Sequence, residues 1–227
     1  MKTVLITGAD RGVGYALCEC FLQGGWHVIA GQYMPAWPQL DALKKLFPQL
    51  DIIPLDVSDT ASVQAAAAST AQLCDHVDLL VSCAGIVGND SYDSLRTVLS
   101  TNTLGALRMV ESFLPLMQTG LRRLAFVSSE AGSISVAHRQ SGSTYTMSKT
   151  ALNMLVRRMF RTLAPQGFSF RLYHPGWVRS YMTGQKTAVG DFEPEEAAAE
   201  AYRQFTEDRE TEDVLVMTDI SGEMWPY

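Results

Sequence analysis

Apolar residues in this chain fall into short unbroken runs, separated by longer stretches in which they recur every three or four positions. The runs stand at Thr3–Thr7, His27–Gly31, Asp51–Leu55, Val77–Ser82, Leu124–Ser128, Phe168–Tyr173 and Val214–Met217. Runs of this kind, apolar without alternation, suit strands covered on both faces. Between most of them the spacing turns helical. From Gly12 through Leu17 to Phe21 and Leu22 the apolar positions trace one helix, which closes on Gly24 and Gly25. Two longer helices are expected near Asp93–Gln118 and Thr144–Leu163. Pro194 followed by Glu195 and Glu196 marks a further first turn, with acids at the positive end of the dipole. The alternation predicts an α/β fold: one doubly wound parallel sheet of about seven strands with helices on both faces, over residues 1–227 as a single domain. Ligands of such sheets bind beyond the carboxyl ends of the strands, which directs attention to the irregular segments Gly132–Ser143 and Arg179–Glu193.

Composition narrows the partners. The chain has 227 residues, of which 47% are hydrophobic, enough for one sizeable core. Its net charge is −6, and the basic residues cluster no further than the pairs Arg122-Arg123 and Arg157-Arg158, so nucleic acid is not an expected partner. The run Val4-Leu5-Ile6 is too short for a membrane span or a signal-peptide core, and no membrane association is expected. The cysteines Cys18, Cys20, Cys74 and Cys83 lie in apolar surroundings without metal spacing, which fits a reduced cytoplasm. No metal is expected either: Cys74, Asp75 and His76 are adjacent and cannot all turn toward one ion.

The first strand runs directly into "TGADRGVG", residues 7–14, and then into the first helix. A glycine turn between strand and helix lets backbone N–H groups and the helix dipole approach an anion closely, the arrangement that holds pyrophosphate in Rossmann-type dinucleotide folds. Further along, "STYTMSKTALNML" places Tyr145 and Lys149 four apart, hence on one helix face. Reduction of a carbonyl needs a hydride donor at carbon and a proton donor at oxygen. A phenol can give the proton. Its free pKa of about 10 is brought toward neutrality by a neighbouring cation, and Lys149 is one turn away. A hydroxyl at a strand end would polarise the carbonyl; Ser129 is the candidate, with Ser128 and Ser133 as competitors.

The ordered set "TGADRGVG", "LDVSD", "TNTLG", "VSSEAG", "STYTMSK" and "HPGWVRSYM" resembles the short-chain dehydrogenase/reductase family nearly end to end. The closing "DISGEMWPY" and the longer stretch before Tyr145 are similar to a subgroup of small carbonyl reductases related to the myxobacterial C-signal protein. The resemblance implies an NADP(H)-dependent carbonyl reductase or alcohol dehydrogenase, with Asn102, Ser129, Tyr145 and Lys149 as the catalytic set. Asn102 would hold a proton-relay water beside Lys149; the alternative is an Asn satisfying a helix irregularity. Cofactor contacts are expected from Thr7, Gly8, Arg11, Gly12, Val13 and Gly14 in the turn, from Gln32 and Tyr33 after the second strand, and from Asp56 and Val57 after the third. Ala84, Gly85, Tyr145, Lys149, Pro175, Gly176, Val178 and Ser180 complete that set. Arg11 favours NADP over NAD, because its guanidinium suits the extra phosphate while Gln32 and Tyr33 offer neither acid nor base.

The chain also departs from the family pattern. "SCAG" at 82–85 stands where the family carries Asn-Asn-Ala-Gly, so the side-chain bonds of that asparagine pair are lost. Ser129 lies 16 positions before Tyr145, whereas the family spacing would fall on Gly132; an insertion between them restores the match. His138 and Arg139 are candidates to touch a substrate, against solvated loop roles, and Trp177, Tyr181 and Met182 to line the pocket wall, against a core role for Trp177; His174 precedes Pro175. The resemblance implies a homodimer or homotetramer acting on a small-molecule carbonyl or alcohol. A nucleotide-binding regulator without turnover, on the same fold, is the alternative function.

Overall fold

A computed structural model of the chain describes residues 1–182 and 184–227. Seven strands form a parallel sheet: β1 (Thr3–Ile6), β2 (His27–Gln32), β3 (Leu50–Pro54), β4 (Leu79–Ser82), β5 (Arg123–Val127), β6 (Ser169–His174) and β7 (Met217–Asp219). An eighth, β8 (Met224–Trp225), pairs antiparallel with β7. The spatial order is β3-β2-β1-β4-β5-β6-β7-β8, so the chain reverses its winding direction between β1 and β4. That reversal opens a crevice above the carboxyl ends of β1 and β4.

Successive side chains of a strand point to opposite faces, and here both directions are apolar. Val4 and Ile6 of β1, with Val28 and Ala30 of β2, pack under α1 (Gly12–Gln23), α2 (Gln39–Leu46) and α7 (Pro194–Thr206). Leu5, Ile29, Leu124 and Phe126 face the other way, onto α3 (Thr60–Leu73), α5 (Gly105–Phe113) and α6 (Ser143–Leu163). The strands are therefore covered twice, which is why they read as unbroken apolar runs.

Most expected boundaries hold to within a residue, and three larger departures have local settings. β4 begins at Leu79 rather than Val77, because the carboxylate of Asp78 turns aside to accept bonds from the backbone of Thr3 and Leu121. β7 begins at Met217 rather than Val214, which is left 60% exposed. The helix expected over Asp93–Gln118 is a run of α4 (Tyr92–Leu99), a π turn at Ser100–Leu104, α5 and a 3₁₀ turn at Leu114–Met117. By contrast α7 starts at Pro194 as expected, under a capping box between Glu193 and Glu196. Among the described residues no helix is long and apolar enough to cross a membrane, and no cluster of His, Cys, Asp or Glu could hold a metal.

Candidate active site

The glycine turn follows β1 with its backbone forced into unusual conformations. Gly8 and Gly12 have φ of +66° and +59°, open to glycine and strained for other residues. At Gly14 the restriction is contact: a Cβ there would stand 2.1 Å from the Gly8 carbonyl oxygen. The first turn of α1 therefore lies directly on the loop. Thr7, wholly buried, ties this loop to the neighbouring strand, its hydroxyl accepting from the backbone N–H of Cys83 and Ala84, each at 3.0 Å. Asn102, from the π turn, clamps the following residue on both sides: its Oδ1 accepts from Ile86 N at 2.8 Å and its Nδ2 donates to Ile86 O at 2.9 Å. "SCAG" thus sits between two polar clamps without the missing asparagines.

A cavity of about 1170 Å³ runs from this turn across the carboxyl edge of the sheet. All of the expected cofactor contacts line it except Thr7, which lies behind the loop, and Gln32, whose side-chain Nε2 is buried without a hydrogen-bond partner. Arg11 stands at the end of β2, its guanidinium 3.0 Å from the Met34 sulfur and 5.0 Å from the centre of the Trp37 ring. Neither neighbour neutralises its charge. Asp56 takes two bonds on one oxygen, from Ser58 N and Ser58 Oγ.

At the far end of the same cavity, α6 presents Tyr145 and Lys149, with the ammonium 5.7 Å from the centre of the phenol ring. Lys149 is 4% exposed and donates to Val127 O at 2.9 Å. Burial pushes its pKa down to about 8. Burial pushes the Tyr145 phenol up to about 12, helped by the Glu130 charge, while a hydrogen bond with Ser129 and the charge of Arg139 pull the other way. Oδ1 of Asn102 and Nζ of Lys149 both lie over Gly85, 3.6 and 3.7 Å from where its Cβ would be. Asn102 does not line the cavity itself; it stands behind Gly85 and also donates to Ser148 Oγ at 3.0 Å. The π turn it occupies is the helix irregularity anticipated as its alternative setting, a feature often found at functional sites.

The three serines separate by their bonds. Ser128 gives its hydroxyl to Asn153 at 2.6 Å, and Ser133 accepts from Val136 N. Ser129 is the serine of the three that acts on the Tyr145 phenol, drawing its pKa down, and its hydroxyl donates to Glu130 at 2.6 Å. It caps a 3₁₀ turn, Glu130–Gly132, that is pressed onto α6: a Cβ on Gly132 would lie 2.8 Å from the Lys149 carbonyl oxygen. Residues 133–142 form the loop between that turn and α6. His138, Arg139, His174, Trp177, Tyr181 and Met182 all line the cavity. Trp177 is 58% exposed, which removes the core reading, and Arg139 is an exposed loop cation that is also ion-paired with Glu130.

Two residues of the site went unrecognised in the sequence. Asp10 accepts from Tyr33 N at 3.1 Å and Met34 N at 2.8 Å, fixing the loop that carries Arg11's neighbours. Glu130 follows Ser129, and its carboxylate is hydrogen-bonded to Ser129 and Arg139, with His174 Nε2 3.8 Å away. Each partner is remote in sequence or in a loop, so spacing carried no signal.

The family model described as short chain dehydrogenase matches residues 2–191. The chain belongs to the short chain dehydrogenase family. Among relatives of this dehydrogenase, the C-signal protein of Myxococcus xanthus is 41% identical over 115 residues, 48% of this chain and 69% of that one. A 1-hydroxy-2-glutathionyl-2-methyl-3-butene dehydrogenase of Rhodococcus sp. is 31% identical over 208 residues, covering 88% of each chain. The solved structure of a carbonyl reductase from chicken fatty liver with NADPH bound superimposes with a TM-score of 0.86 at 27% identity, covering 100% of this chain and 99% of that one. These matches make the chain a short-chain oxidoreductase of Rossmann-like fold.

Proposed function

We propose that this dehydrogenase moves a hydride between NADP(H) and a small carbonyl or secondary alcohol, with Tyr145 as the general acid and base. One observation carries the reading: a turn built for close phosphate approach and a buried Tyr–Lys pair share a single cavity. The cradle fits a dinucleotide, since Gly14 has no room for even a methyl group and the Gly8 and Gly12 backbones leave the N–H groups free to face an anion. The NADPH-bound carbonyl reductase supports the choice of cofactor, and Arg11, uncompensated at the end of β2, is the residue suited to the extra phosphate.

A bound nicotinamide supplies or takes the hydride at the carbonyl carbon. In reduction Tyr145 gives its proton to the carbonyl oxygen, and Lys149, one turn along α6, stabilises the phenolate left behind. Ser129 hydrogen-bonds the same oxygen when its hydroxyl turns from Glu130 toward the substrate. Asn102, holding Gly85 and Ile86 beside Lys149, fixes the wall along which the phenolate recovers a proton. Met182, whose methyl lies near Gly85 and Lys149, walls the substrate end, while Tyr181 packs on Trp37 beside Gly12 at the glycine turn.

The test is consumption of NADPH over a panel of aldehydes and ketones, followed by the absorbance of the reduced nicotinamide. Turnover with at least one carbonyl, and with NADPH in preference to NADH, is expected. Tight nucleotide binding with no turnover on any carbonyl or alcohol would replace this reading with that of a regulator. Arg11→Ala should lower the NADPH-over-NADH preference by about tenfold, the worth of one charge-assisted contact; an unchanged ratio removes Arg11 from the phosphate site.

A further inference from the structure

Arg11 is a cation held by uncharged neighbours. Its Nη1 donates to the Met34 sulfur at 3.0 Å, and its guanidinium stands over the Trp37 ring, 5.0 Å from the centre. Neither contact exhausts its donors: sulfur is a weak acceptor, and an aromatic face attracts a cation through its quadrupole without taking a directed hydrogen bond. The acid next to it in the chain is occupied elsewhere. Asp10, 5% exposed, accepts from the backbone N–H groups of Tyr33 and Met34, so its carboxylate fixes the loop after β2 instead of pairing with Arg11.

Trp37 is itself fixed from two sides. Its backbone N–H donates to Met34 O at 2.9 Å, closing a turn in that loop, and α2 begins two residues further on at Gln39. Tyr181 meets its ring edge to face, with centroids 5.6 Å apart and planes at 78°. β2, which leads to Trp37, and β6, which leads to Tyr181, are separated in the sheet by β1, β4 and β5, so the ring contact joins two remote loops. Arg11, Tyr33, Met34 and Tyr181 line the cavity, and Trp37 stands behind them. What Trp37 does for a ligand it does through Arg11.

We propose that Trp37 is a positioning residue for Arg11, holding the guanidinium at the end of β2 with its donors free, and that it thereby sets the preference for a dinucleotide carrying a phosphate on its adenosine ribose. The proposal rests on the reading of this cleft as an NADP(H) site. In sheets of this kind the ribose lies at the end of the second strand, where an added phosphate calls for an arginine. A long side chain loses rotamer freedom when it binds, and one already held over a ring loses less. An acid in place of Trp37 would also hold the arginine, but it would take its donors and cancel its charge. The aromatic face leaves both for the phosphate.

Calorimetry with NADP+ and NAD+, which differ by that one phosphate, reads the effect without substrate or turnover. Trp37→Leu should lower the ratio of the two affinities about fivefold, the worth of one cation–π contact, and leave NAD+ affinity at the parental value. Trp37→Gln, also without a ring, makes the same test should the leucine variant not fold. Trp37→Tyr, which restores an aromatic face, should keep the parental ratio. In an Arg11→Ala background Trp37→Leu should change the ratio no further. A parental ratio in a folded Trp37→Leu protein, an equal fall in both affinities, or a fall in the ratio that persists without Arg11 overturns the proposal. A parent that binds the two nucleotides equally would remove the NADP(H) reading and Trp37 with it, whereas a parental preference that survives Trp37→Leu removes Trp37 alone.

Discussion

Arg171 and Lys149 are both buried cations, one in β6 and one in α6, and they are satisfied to very different degrees. Arg171 spends its five N–H donors: Nε on Gln204 O, Nη1 on Phe170 O and Glu212, Nη2 on Glu207 O and Glu212. The carbonyls of Gln204 and Glu207 lie at the end of α7, so the guanidinium caps the helix where its dipole is negative. Arg123, the first residue of β5, joins it with bonds to Phe205 O, Glu207 O and Asp208. Lys149 has three N–H donors and, among the described residues, makes one hydrogen bond, to Val127 O. A buried charge with every donor matched fixes a structure. One left partly unmatched in a cavity costs stability and is free to act on whatever enters.

Exchanging the two for apolar residues should therefore give opposite results. Lys149→Met should lower turnover by at least the ~10²–10⁴-fold associated with a general acid, since the phenolate loses its cation. It should also weaken cofactor binding, measured by calorimetry, because the ammonium faces the same cleft as the glycine turn. Its thermal midpoint should not fall, as a desolvated cation has been removed. Arg171→Leu should leave turnover per folded molecule unchanged but cost about 3–5 kcal/mol in urea unfolding, because Glu212 and the α7 carbonyls lose their donor. A stable Arg171→Leu protein, or a destabilised Lys149→Met protein, would break the contrast.

Smaller in effect is the pH dependence that the Lys149 shift imposes. Its pKa falls from an unfolded value near 10.5 to about 8 in the folded chain. The folded state thus releases its proton first, and between those pH values the unfolded chain binds more protons. Parental stability relative to Lys149→Met should rise through that window, by about 3 kcal/mol at most, and be flat below pH 8. A difference that falls with pH would contradict the burial of an unpaired ammonium.

What the sequence reveals about these two cations differs as much as their surroundings. Tyr145 and Lys149 are four apart on one helix, a spacing that reads directly as a shared face, and the glycine turn reads from its place between strand and helix. The parallel sheet is equally legible, because double coverage makes each strand an apolar run. Arg171 gives no such sign: it stands in an apolar strand, and the Glu212 that pairs with it lies 41 positions on. Glu130 is hidden in the same way, since its meaning depends on Arg139 and His174 arriving from a loop and another strand. The π turn at Asn102 interrupts a helix without breaking its apolar spacing, and β8 is too short at Met224–Trp225 for any period to show.

The central claim is that Tyr145 is the proton donor in a cofactor-dependent reduction. Tyr145→Phe removes one oxygen from a cavity wall and leaves Lys149 and the glycine turn in place. NADPH affinity by calorimetry and the folded content by circular dichroism should match the parent, while carbonyl-dependent NADPH consumption should fall by ~10²–10⁴-fold. A Tyr145→Phe protein that binds NADPH and still reduces the same carbonyl at close to the parental rate would contradict the account.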